Sequence, residues 1–317
     1  MPLIADPSEC TEATCCRPGL GGESTKPRAR HACDVQSHAR VTEAEIAAGL
    51  RRLGLDRTSD VIVHSSLSSF GQVDGGAEAV GSALVRVCGT VMVPAGSWDL
   101  TGVGAPPGLA RPMNAFEPCA TWEEFDKQLA GAVQFSPDTP IDRWLGVIPE
   151  TMRLTQPHRR STHPLFSYLA VGRAAEQLVG SQTMDHPLAP IETLGMLGGQ
   201  VLLLGVTHTS NTTIHLAEQQ LGRSRFYRYA KAGPGVWMEL PNISGESHRF
   251  GRIEPALSSA TRTTQIGACL ARLVPIAAVL AVAQRLIRAD PGALLCRTTS
   301  CRCWAAYEQR LAAIEQR

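Results

Sequence analysis

The stretch GVTHTSNTTIHLAE, residues 205–218, holds two histidines and a glutamate directly after an apolar run. His215 and Glu218 stand three residues apart, which places both on one face of a helix. A carboxylate so placed fixes one imidazole tautomer and raises the basicity of the other ring nitrogen. The chemistry this implies is proton abstraction. A metal reading is also open, because His208, His215 and Glu218 offer three ligands, although the i, i+4 pair of histidines of metalloprotease helices is missing. A solvated surface pair is the bland alternative.

Two further constellations carry polar groups beside apolar runs. In VIVHSSLSSFG, His64 follows a β-branched run and is followed by Ser65, Ser66, Ser68 and Ser69. A serine-hydrolase reading is weak, since the chain contains no G-x-S-x-G elbow. In HRRSTHPLFSYLAVG, His158, Arg159, Arg160 and His163 form the densest basic cluster of the ordered part. Paired guanidiniums suit phosphate groups, with a solvated loop as the alternative.

The elements that must position these residues can be read from pattern. Thr42 and Glu45 form a capping box before an apolar face of Ile46, Leu50 and Leu53. DVIVHSSL, TVMVPAG, LFSYLAVG and QVLLLGV read as buried strands. AEAVGSALVRVCG and IHLAEQQL read as helices, the second with Ser210 or Asn211 as its cap. The strand–helix–strand order predicts an α/β fold, a central mostly parallel sheet flanked by helices. Residues 98–140 read as an inserted substrate-side region of loops around the helix WEEFDKQLAG. IDRWLGVIPETMRL reads as a helix broken at Pro149, VWMEL to HRFG as a hairpin, and residues 275–288 as a helix. In this partition, residues 1–40 are a disordered or loosely attached extension and 41–317 a single domain. The helix bearing His215 and Glu218 and the strand before it meet at a carboxyl end of the sheet, where such folds bind ligands.

Bulk properties exclude several classes. The 317 residues are 44% hydrophobic and 19% charged, with a net charge of +1. No global field draws the chain to nucleic acid or to an anionic membrane. The most apolar run, LVPIAAVLAVA, is too short to span a bilayer. The N-terminus lacks a signal-peptide pattern, so the expected location is cytoplasmic. Cys296, Cys301 and Cys303 have a C-x4-C-x-C spacing that matches no common zinc motif, and the local sequence offers no fourth ligand. They read as free thiols, and no metal is expected.

The three constellations, in this order, resemble the signatures of the aminoglycoside 3-N-acetyltransferase family. The likeness rests on VIVHSSLSSFGQVDGGAEAV, on the Arg-Ser-x-His-Pro element of HRRSTHPLFSYLAVG, and on NTTIHLAE, and it extends over residues 41–303. It implies acetyl-CoA as co-substrate and transfer of its acetyl group to the 3-amine of a 2-deoxystreptamine antibiotic, conferring resistance. It implies His215 as general base, Glu218 as its orienter and His64 in the site. Ser65, Ser66, Asn211 and Thr212 are then expected around the thioester or pantetheine, and Arg159 and Arg160 at the CoA phosphates. A polycationic acceptor wants carboxylates, and the candidates are Asp74, Asp99, Glu117, Glu123, Glu124 and Asp142, with His208 as a wall residue. The alternatives are a CoA-dependent acetyltransferase for a non-antibiotic amine and a metal-dependent hydrolase. The expected assembly is a monomer or homodimer.

Overall fold

The computed structural model describes residues 40–109, 111–112 and 118–316. The extension expected at residues 1–40 falls almost wholly outside them, as does Glu117. Along the chain the helices and strands are α1 (Glu43–Arg52), β1 (Asp60–Ser65), α2 (Gly76–Val87), β2 (Thr90–Pro94), α3 (Trp98–Thr101), β3 (Gly102–Val103), α4 (Trp122–Gly131), α5 (Val147–Thr155), β4 (Arg159–Arg160), β5 (Tyr168–Gly172), α6 (Ala175–Gly180), α7 (Ala189–Met196), β6 (Gln200–Leu204), α8 (Thr213–Gln220), β7 (Phe226–Gly233), β8 (Val236–Ile243), α9 (Glu254–Leu257), β9 (Arg262–Ile266), β10 (Cys269–Pro275), α10 (Ile276–Ala289) and α11 (Arg302–Glu315).

Seven strands form one sheet in the order β4-β5-β2-β1-β6-β10-β9. Its centre, β2-β1-β6, is parallel, which is the sheet the strand–helix–strand pattern implies. Antiparallel strands extend it on both sides. Strand β1 is apolar on both faces because both are covered. Alternate residues feed opposite layers. Val61, Val63, Leu202 and Leu204 pack with Ile46 and Leu50 of α1, Leu84 of α2 and Met152 of α5. Ile62, Leu203 and Val201 pack with Leu194 of α7, Ile214 of α8 and Val279 of α10. Ile46 and Leu50 are completely buried, each contributing about 1.5–3 kcal/mol on transfer arithmetic. The capping box forms as the sequence predicts, with Glu45 N–H donating to Thr42 Oγ1 and Thr42 N–H to Glu45 Oε2.

A second sheet, β3-β7-β8, carries its own cores. Phe226 and Leu240 pack on Cys303 and Ala306 of α11, while Tyr229 packs on Phe125 and Leu129 of α4. The hairpin is therefore FYRYAKAG with VWMELPNI, one element earlier than the expected VWMEL to HRFG. HRFG instead enters a short 3-10 turn at Phe250–Ile253. The segment TTQIGACLARLVP forms the hairpin β9–β10 and pairs with β6. Pro149 does not break α5. It sits in the first turn, where its missing N–H leaves no intrahelical bond unmade.

Two turns position the site. Gly205, at φ +68°, ends β6, and a Cβ there would overlap Ser69 Oγ. Gly146, at φ +93°, precedes α5 and approaches the carbonyl of Ser65. Among the described residues no helix is long and apolar enough to cross a membrane.

Candidate active site

A cavity of about 1040 Å³ opens where the carboxyl ends of β1 and β6 face the second sheet. His64, Ser65 and Ser66 reach it from the end of β1, and Asn211, Thr212 and His215 from the start of α8. Leu145, Gly146, Trp98, Phe166, Arg228, Glu246 and Arg302 also line it. The fold thus joins two sequence-predicted clusters, His64–Ser66 and Asn211–Glu218, in one place.

His215 Nδ1 lies 2.7 Å from Glu218 Oε2. The other oxygen, Oε1, accepts from Arg223 Nη2 at 2.8 Å and Nε at 3.1 Å. Arg223 and Glu218 are completely buried. Burial alone pushes the Glu218 carboxyl up, but the Arg223 charge and the His215 hydrogen bond together outweigh it, so the carboxyl is held below its ordinary value. An ionised carboxylate only accepts. His215 must therefore donate from Nδ1, which leaves the lone pair on Nε2. The ring also packs on Phe250, with centroids 4.7 Å apart. Among the described residues, His208, His215 and Glu218 do not come together as a group that could hold a metal ion.

The helix start is built locally. Asn211 Oδ1 accepts from Thr213 N–H at 3.1 Å, and Asn211 Nδ2 meets His208 Nδ1 at 3.1 Å. Asn211 thus satisfies the first turn of α8, as a capping side chain does. His208 is fully buried and orients Asn211 from behind, and it is not part of the cavity wall. His64 is nearly buried, and burial, followed by the charge of His208, lowers its pKa to about 3. Its Nε2 and the Oγ of Ser65 have no hydrogen-bond partner among the described residues.

Several expected ligands lie elsewhere. Arg160 is buried and structural. Its guanidinium donates to Ser167 Oγ at 3.2 Å, Ala95 O at 2.6 Å, Ser97 Oγ at 2.8 Å, Pro137 O at 3.0 Å and to Thr139 O. Arg159 is exposed and pairs with Glu176 of α6 at 2.9 Å. Neither lines the cavity, because β4 is an edge strand of the sheet. Asp142 is also buried, accepting from Trp98 N–H at 2.5 Å and Asp99 N–H at 3.1 Å. Asp74, Asp99, Glu123 and Glu124 are exposed and do not line the cavity. His163 holds its own loop by accepting from Leu165 and Phe166 N–H.

The chain places other charges on the wall. Arg228 lies 3.4 Å from the Trp98 ring centroid, and burial, then the neighbouring Arg302, lowers its pKa to about 9. Arg302 Nε pairs with Glu246 Oε1 at 2.8 Å. Among the described lining residues, Glu246 is the only carboxylate. None of these three stands out in sequence, where each is a single charge outside any recognisable motif.

Buried histidines also set a pH dependence of stability. His163 is held at about 4 by burial, beside His64 at about 3. Both bind protons in the unfolded chain near pH 6.5 but not in the folded one. Stability from this source is complete above about pH 6.5 and is lost as pH falls towards those folded values. Asp142, raised to about 6 by burial, acts in the opposite sense between its ordinary value and 6. Two histidines with larger shifts outweigh one carboxyl, so the urea midpoint should be lower at pH 5 than at pH 7. Equal midpoints would show that His64 and His163 are solvated.

The family model described as aminoglycoside 3-N-acetyltransferase matches residues 62–288. The SPbeta prophage-derived aminoglycoside N(3')-acetyltransferase-like protein YokD of Bacillus subtilis (strain 168) is 29% identical over 256 residues, covering 77% of this chain and 91% of YokD. The crystal structure of YokD superposes with a TM-score of 0.71 at 27% identity, over 81% of this chain and 97% of that one. Aminoglycoside N(3)-acetyltransferase VIII of Streptomyces fradiae is 32% identical over 231 residues, 68% of this chain and 76% of that enzyme. The solved structure of AAC-IIIb in binary complex with CoASH gives a TM-score of 0.63 at 25% identity, covering 79% of this chain and 97% of that one. The matched segment runs from the strand bearing His64, through the His215–Glu218 pair, into α10. The chain belongs to the aminoglycoside 3-N-acetyltransferase family.

Proposed function

We propose that the protein transfers the acetyl group of acetyl-CoA to the 3-amine of a 2-deoxystreptamine antibiotic, in the cytoplasm, with His215 as general base. One observation carries this reading. His215 stands on the cavity wall with Nδ1 tied to a buried carboxylate, which leaves Nε2 to take a proton. An ammonium has no lone pair to attack with, so the base must remove a proton at or before attack. The amine nitrogen then bonds to the thioester carbon, the carbonyl becomes an oxyanion, and the C–S bond breaks as the thiolate of CoA leaves. As the oxyanion collapses back to a carbonyl, His215, now an imidazolium, returns its proton to that sulfur, and the new amide nitrogen gives its second proton to solvent.

Polar atoms at the same end of the cavity suit the oxyanion and the acyl arm. These are the unpartnered Ser65 Oγ and His64 Nε2, together with Ser66 and Thr212. His64 is uncharged at neutral pH, so it serves as a hydrogen-bonding group. Arg228 and Arg302 take the phosphate-binding role that the sequence suggests for Arg159 and Arg160. Glu246 is the wall carboxylate placed to meet an acceptor ammonium. AAC-IIIb forms a binary complex with CoASH, which supports CoA as the donor's carrier here.

Thiol release from acetyl-CoA, followed with gentamicin, neomycin, apramycin and simple amines as acceptors, tests the reading. Turnover is expected with at least one antibiotic, with the product acetylated at the 3-amine by NMR. Turnover with simple amines alone would move the acceptor to another class, and no turnover with any amine would remove the activity.

A further inference from the structure

Beyond the cavity, three thiols and an imidazole from distant parts of the chain converge. The ligand atoms of His248, Cys296, Cys301 and Cys303 all lie within 4.8 Å of one another. Four ligands at 2.0–2.3 Å around one tetrahedral ion stand roughly 3.5–4 Å apart, so a modest closure would bring the set to bonding distance. From this we infer that His248, Cys296, Cys301 and Cys303 form a structural zinc site.

The donor chemistry selects the metal. Three thiolates and one imidazole suit zinc, and oxygen-seeking ions such as magnesium or calcium are poor matches. A complete set of four protein ligands leaves no open position for water, which marks a structural site. The local spacing C-x4-C-x-C lacks a fourth ligand, and the fold supplies it as His248, in the loop after β8.

The backbone around the cluster shows what such an ion would hold. Residues 296–300 contain no helix or strand, and Arg297–Ser300 are exposed. Cys301 is the N-cap residue of α11 and Cys303 lies in its first turn, buried against the hairpin core. One ion would therefore tie three segments together: the loop after β8, the loop after α10 and the start of α11. Two of these segments reach the cavity. Arg302 lies between two of the cysteines, and Glu246 is two residues before His248. The ion would fix the Arg302–Glu246 pair against the wall without touching substrate.

Metal analysis of the purified full-length chain tests this, with zinc supplied during expression and no chelator used. About one zinc per chain is expected. Replacement by cobalt should give a thiolate-to-cobalt absorption in the near ultraviolet and the visible band of a tetrahedral site. The Cys301→Ser/Cys303→Ser variant should lose the metal, and His248→Ala should hold it more weakly. A variant with Cys10, Cys15, Cys16 and Cys33 all changed to serine should keep the full stoichiometry, which separates this cluster from the N-terminal cysteines even if the first variant fails to fold. The inference is overturned by protein that takes up no zinc or cobalt. It is equally overturned by zinc lost with the N-terminal cysteines, or by a disulfide among Cys296, Cys301 and Cys303 in the unreduced protein.

Discussion

His215→Ala is expected to lower kcat by about 10²–10⁴-fold, the usual contribution of a positioned general base, with KM for acetyl-CoA changed far less. The reason is geometric. His215 is the wall residue whose one nitrogen is committed to a buried carboxylate and whose other nitrogen carries a lone pair. The substitution removes that lone pair and leaves a gap the size of an imidazole beside Phe250. Added imidazole should recover part of the rate, because it restores a base without restoring the side chain. The limb of the pH–rate profile that reports the base should vanish in the variant. Steady-state kinetics at several pH values, with and without imidazole, measures all three. A rate within a few-fold of the parent would remove His215 from the mechanism.

Changing Arg223 to methionine should cost about 3–5 kcal/mol of stability, because it strands a buried carboxylate. Arg223 and Glu218 are both completely buried, and the guanidinium is further held by the carbonyls of Pro291 and Ala293. Without it, burial dominates at Glu218 and raises its pKa. The carboxyl then either takes up a proton or draws one onto His215. Both outcomes degrade the base, so kcat should fall although Arg223 does not line the cavity. The combined variant Glu218→Gln/Arg223→Met separates the two effects. It should regain much of the stability, since no buried charge remains, but not the activity. Urea midpoints at constant slope, compared with kcat across the three proteins, give the answer. Near-parental stability of Arg223→Met would mean that solvent reaches Glu218.

Local pattern made the His215–Glu218 pair legible. His215 and Glu218 are three residues apart on one helix, and that relation survives in any fold that keeps the helix. The strands β1 and β6 were legible for a similar reason, since each is a short continuous apolar run, too short for a helix of its own and followed by turn-forming residues. Arg223 was not, although it is only five residues past Glu218. Its role depends on the chain turning back after α8 and burying the guanidinium, which charge alone does not reveal. Arg160 and Asp142 were misread for the converse reason. Each looks like a binding group in sequence, but Asp142 spends its oxygens on two backbone N–H groups and Arg160 its guanidinium on carbonyls and serine hydroxyls inside the fold. Arg228, Glu246 and Trp98 meet at the cavity only because the β7–β8 hairpin crosses in front of the main sheet. His248 joins the cysteines through the same long-range arrangement.

The buried guanidinium of Arg160 bears on how this protein can change its acceptor range. It gathers acceptors from the segments at Ala95–Ser97, Pro137–Thr139 and Ser167, two of which border the cavity at Gly96 and Ser167. That side of the vessel is a fixed casting. A new ligand cannot remould it, and a substitution behind it disturbs several backbone carbonyls together. Variation has a freer hand at the rim, where Trp144 and Val147 border the cavity and yet are 57% and 50% exposed. Diversification of acceptor choice would then be written in those rim side chains, over an interior that stays the same.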